Sequence, residues 1–87
     1  LGFVTDVAKH DALLATARGW AEQILECSPL SIRASKQTAL QSLAIPDLQD
    51  AMRNSLYPAI ADMARSQDFV EGPKAFAEKR KPHWTGR

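Results

Sequence analysis

The sequence predicts an all-α fold of three to four helices preceded by a short orphan β-strand. Three observations carry this expectation. Apolar residues recur at spacings of three and four through most of the 87 residues, Pro and Gly interrupt that recurrence at intervals, and the opening residues alternate as a strand does. In residues 1–7, Phe3, Thr5 and Val7 alternate against Val4 and Asp6. No second strand follows to pair with this run, so it reads as the remnant of a missing N-terminal core.

Residues 10–66 read as scaffold helices. His10 or Asp11 can cap a first helix in which Leu13, Ala17, Trp20, Ile24 and Cys27 form one face, and Gly19 weakens it without breaking it. At Ser28-Pro29 a cap and a first-turn proline start a second helix, running to about Leu43. Its inward face is expected to be Ile32, Ala39, Leu40 and Leu43, with Arg33, Lys36 and Gln37 toward water. After Ala44-Ile45-Pro46-Asp47 comes a third pattern, Leu48, Met52, Leu56, Ile60 and Met63. Pro58 lies inside it and predicts a kink or break near Leu56-Tyr57, because proline lacks the N–H and clashes with the carbonyl four residues back.

The last helix is expected over 68–81, followed by a tail over 82–87. Asp68 and Glu71 have the spacing of a capping box, and Gly72-Pro73 leaves two starts open, one near Phe69 and one at Pro73. Either way Phe76, Lys79 and Arg80 stand at i, i+3 and i+4, one ring and two cations on one helix face, before Pro82 ends the helix.

Composition bounds what such a chain can do. A domain this short buries only roughly 60–65% of the surface it exposes when unfolded, which leaves little room for an enclosed active site. With 45% hydrophobic and 24% charged residues it is not disordered by composition, and its aliphatic content exceeds the need of one small core, so some apolar surface is expected to face a partner. A net charge of +1 gives no general field for nucleic acid. The single cysteine, Cys27, excludes an internal disulfide and fits a reducing, cytoplasmic setting. No apolar run approaches the ~20 residues of a membrane helix, and no signal segment opens the chain. It is expected to be a soluble piece of something longer.

Few constellations survive comparison with plainer readings. Glu22 and Glu26 share a helix face that is polar, without an apolar setting to turn either into a general acid. His10 and His83 have no ligand partners at metal spacing, and Cys27 has no activating neighbour. Ser28, Ser31 and Ser35 are explained by capping and exposure, and no G-x-S-x-G surrounds them. Trp20 and Met63 lie on periodic faces and read as core. Lys79-Arg80-Lys81 with Trp84 is too little charge for a nucleic-acid face. A ring beside two cations suits the purine and phosphates of a nucleotide cofactor, while a solvated helix end with cations against the macrodipole explains the same residues. Spacing does not decide between the two.

The leading LGFVTDV, the AEQILECSPLSIRASKQ segment and the closing SQDFVEGPKAFAEKRKPHWTGR together resemble the C-terminal third of the crotonase superfamily, the enoyl-CoA hydratases and isomerases. Asp68, Glu71-Gly72, Ala75-Phe76, Glu78-Lys79-Arg80 and Pro82 carry most of that resemblance. It implies a fold in two parts, a catalytic N-terminal spiral and a C-terminal helical region that makes trimer contacts, within a trimer or dimer of trimers. This segment would then hold no catalytic residue and no metal. The oxyanion hole, which lowers the barrier most in such chemistry, would lie elsewhere. By position the resemblance assigns Phe76 to the adenine and Lys79 to the phosphates of the CoA moiety of an acyl-CoA substrate. Arg80 receives a helix-end or subunit-packing role. A non-catalytic helical interaction module from a crotonase-like protein is the alternative.

Overall fold

The computed structural model describes residues 2–87, and these form five α-helices and two 3-10 turns. A 3-10 turn at His10–Ala12 leads without a side-chain cap into α1 (Leu13–Leu25), followed by α2 (Pro29–Ser42), α3 (Leu48–Ala51), a second 3-10 turn at Asn54–Leu56, α4 (Pro58–Ala64) and α5 (Gln67–Ala77). The expected orphan strand is not seen: residues 2–7 form no strand, and Leu1 lies outside the described residues. Alternation alone cannot hold a strand whose backbone donors and acceptors find no neighbour.

Pro58 divides the third pattern as expected near Tyr57, by taking the first position of α4, where a missing N–H costs nothing. Pro29 does the same for α2. Asp47 caps α3 by accepting from Asp50 N at 2.9 Å. α4 receives its cap from another helix. Gln37, expected to face water, accepts from Ala59 N at 2.9 Å and so fastens α4 to α2, its main packing partner.

Burial differs from the expected stripes. The buried apolar residues are Ala34, Ala51, Tyr57 and Ala75, of which Tyr57 alone is large, and its hydroxyl donates to the Ala51 carbonyl. Leu13, Trp20 and Ile24 on α1, Leu40 and Leu43 around α2, and Leu48 and Met52 around α3 are all exposed. The helices lie in a plate of 44 × 40 × 19 Å, and at two helix diameters of about 10–12 Å that leaves almost no interior. The radius of gyration is 16.3 Å, where about 12 Å is usual for this length. Accessible surface is 7514 Å², against about 5,100 Å² for a monomeric protein of this mass. The periodic faces are real, but this chain covers them only in part, with Ile32, Ile60 and Met63 half-buried on α2 and α4.

Candidate functional site

The site is built around α5 and the tail that folds back along it. Ser66, not Asp68, caps the helix: its Oγ accepts from Phe69 N at 3.1 Å and donates to Met63 O at 2.6 Å. Of the two expected starts, the one near Phe69 is close to the observed Gln67, and the one at Pro73 is not seen, since α5 carries Pro73 in its interior. Gly72 makes that easier, because it has no Cβ to clash with the following proline ring, and it lies against Trp84, whose Cη2 is 3.4 Å from where a Cβ would stand.

Asp68, freed from capping, becomes the buried hub of the tail. Its Oδ1 accepts from Thr85 N (2.8 Å) and Thr85 Oγ1 (3.0 Å), and its Oδ2 from Gly86 N (3.0 Å) and Ser28 Oγ (3.1 Å). The Thr85 amide above all, joined by the Gly86 amide and the two hydroxyls, holds this carboxyl below the usual carboxylate range against the opposing effect of burial. Ser28 therefore does not cap α2 but ties its start to α5. One turn further on, Glu71 accepts a forked pair from Arg80 (2.6 and 3.0 Å) and one bond from His83 N (2.8 Å). Arg80 first, then the His83 amide, push the Glu71 carboxyl down to about 2. Trp84 completes the strap by donating Nε1–H to the Glu26 carbonyl at 2.9 Å, just beyond the end of α1. It is the Glu26 backbone, rather than the carboxylate pair Glu22 and Glu26, that serves here.

The helix does not run to Lys81. It ends at Ala77, and the expected i, i+3, i+4 face of Phe76, Lys79 and Arg80 is not formed. Lys79 N donates to Phe76 O (3.2 Å) and Arg80 N to Ala75 O (3.0 Å), the two bonds of a Schellman turn, with Lys79 left-handed at φ 52°. Turn geometry wins over helix propensity because Arg80 finds Glu71 and Glu78 behind it. Phe76 and Lys79 remain linked through the backbone bond, both exposed, Phe76 by 86%. A groove of about 520 Å³ runs along another side of α5, lined by Gln67, Val70, Lys74, His83 and Thr85 together with the two strap carboxylates, and includes neither residue. Asp68, Glu71 and Trp84 were missed as a unit by sequence reasoning. The signal that could have found them is the i, i+3 pair of acids opposite a tail rich in donors.

Among the described residues no group of three or more His, Cys, Asp or Glu could hold a metal ion, and no helix is long and apolar enough to cross a membrane. Phe76 and Lys79 are thus exposed at the C-terminal end of α5 in an all-helical chain.

The family model for enoyl-CoA hydratase/isomerase matches residues 1–87, and the chain belongs to that family. The carnitinyl-CoA dehydratases of Citrobacter koseri and Proteus mirabilis are 35% and 36% identical to it over 88 residues, 99% of this chain and 34% of theirs. Among solved structures, an enoyl-CoA hydratase/isomerase from Mycobacterium paratuberculosis superposes with a TM-score of 0.88 at 32% identity, over 99% of this chain and 33% of that one. An enoyl-CoA hydratase from Mycobacterium tuberculosis gives 0.88 at 31%, over 100% and 34%. The chain thus spans about a third of the length of the relatives it matches.

Proposed function

We propose that these residues are the C-terminal oligomerisation and CoA-pocket segment of an acyl-CoA enzyme of the enoyl-CoA hydratase/isomerase type, with the catalytic groups in the preceding part of the protein. The observation that carries this reading is the family match along the whole chain at one third of the relatives' length. Phe76 supplies a stacking face for the adenine and Lys79 a cation for the phosphates, a division that needs both to be reachable; both are exposed, and their backbones are joined by one turn bond. The parent reaction is proton transfer or water addition next to a CoA thioester carbonyl, and the uncovered faces of α1 to α3 pack on the preceding residues and on further copies, as a homo-oligomer requires.

The test is substitution in the full-length enzyme. Phe76→Ala and Lys79→Ala should each weaken binding of CoA thioesters while leaving the melting temperature close to that of the parent. Unchanged binding with reduced stability would overturn the assignment and make both residues packing elements.

A further inference from the structure

Lys79 holds a backbone conformation that a lysine does not choose for itself. At φ 52° its Cβ crowds the following carbonyl, and glycine or asparagine is the usual occupant of such a turn. Something must hold residue 79 there, and the next residue does so. Arg80 Nη1 and Nη2 fork the Glu71 carboxylate at 2.6 and 3.0 Å, Nε donates to Glu78 at 2.6 Å, and Nη1 reaches the Lys81 carbonyl at 3.2 Å. Glu71 in turn takes the His83 amide. The chain is thereby fastened on both sides of residue 79, backward to α5 and forward to the tail. Arg80 spends its donors on its own chain, whereas Lys79 makes no ion pair among the described residues. Released from this fastening, residue 79 would relax toward the helical conformation, and each further helical residue turns the chain by about 100°. The ammonium would then leave the direction that the left-handed turn gives it.

We infer that Arg80, paired with Glu71, is a positioning residue for the nucleotide end of CoA: it locks the left-handed turn at Lys79, and with it the direction of that ammonium, and does not touch the ligand itself. This inference rests on the CoA reading above. A lysine in place of Arg80 keeps the charge but loses the planar fork, so long-range attraction is preserved and only the lock is removed.

The experiment measures calorimetric Kd values of the full-length enzyme for two probes, CoA and pantetheine, the latter lacking the adenosine and phosphates. Lys79→Ala is expected to weaken CoA binding about tenfold, the scale of one charge-assisted contact. Arg80→Lys and Glu71→Gln are each expected to weaken it about three- to tenfold, with pantetheine unchanged in both. Arg80→Lys placed on Lys79→Ala should cost nothing further, because the lysine it positions is gone. If Arg80→Lys binds CoA normally while Lys79→Ala does not, the lock is refuted and the CoA reading stands. If Lys79→Ala and Phe76→Ala both bind CoA normally, the CoA reading falls and the inference with it. A loss of pantetheine binding, or an undiminished Arg80→Lys effect on the Lys79→Ala background, also refutes the lock. Should Arg80→Lys fail to fold, Glu71→Gln, which keeps the side-chain volume, carries the same comparison.

Discussion

Replacing Lys79 by glycine separates the two roles that this position could serve. In the left-handed conformation a side chain costs roughly 1–2 kcal/mol through the contact of its Cβ with the next carbonyl. Glycine escapes that contact but adds about 0.5–1 kcal/mol of backbone entropy to the unfolded chain. The difference leaves Lys79→Gly more stable by about 0.5–1 kcal/mol, with the turn at φ 52° and its two bonds kept. In a protein about three times this length, as the relatives are, that is a rise of about 1–4 °C in melting temperature. CoA affinity should move the other way, falling about tenfold. Thermal melts with and without saturating CoA read both effects at once. The variant melts higher alone, and its CoA-induced rise is smaller, since a ligand stabilises by its concentration relative to Kd. A variant that melts lower than the parent would refute the strained turn. One that melts higher and gains as much from CoA as the parent would show that Lys79 serves no ligand.

Three further outcomes follow from other parts of the molecule. Tyr57→Phe should cost about 1–3 kcal/mol, because it leaves the buried Ala51 carbonyl without its donor, and should lower the urea midpoint with an unchanged slope. Glu71 titrates near 2 in the folded chain against 4.5 when free, so the stability it contributes is present above pH 4.5 and is lost as pH falls toward 2. Asp68, also held below its ordinary 3.8, loses its share in the same direction. Trp84 fluorescence should therefore report release of the strap on acidification from pH 4.5 to 2, and a flat signal would contradict this. The 87 residues expressed alone should not hydrate crotonyl-CoA, and should associate in sedimentation velocity or bind an apolar dye, since they expose about 2,400 Å² more surface than a monomer of this mass. A clean monomer with no dye binding would contradict that expectation.

The helical class, the proline start at Pro29 and the break near Pro58 were legible because each depends on local chemistry that a single residue dictates. What could not be read was which face is covered. Leu13, Trp20 and Ile24 are spaced for burial, yet burial is a property of the neighbour as much as of the stripe, and the opening residues, with Asp6 accepting from the Trp20 indole, cover them only in part. The end of α5 was misread for a related reason. Helix propensity favours continuing from Ala77 to Lys81, and the turn that replaces it is tied by Arg80 reaching nine residues back to Glu71, a partner outside any local window. Asp68 has the look of a cap in a local window, and its real partners, Thr85 and Gly86, lie 17 and 18 residues on. Phe76 and Lys79 are assigned by resemblance alone, and the strap beside them required coordinates.

A plate 19 Å thick changes what a damaging mutation means. In a rounded domain, severity follows depth. Here Tyr57 is, among the described residues, the one large side chain out of reach of solvent, and most other apolar positions belong to a boundary. A charge placed at Ile24 or Leu43 would leave the plate itself almost unmoved, yet it would be costly wherever another surface has to lie flat against that position. Variation along this chain would then register in assembly before it registers in folding, with Tyr57 and the strap carboxylates as the exceptions.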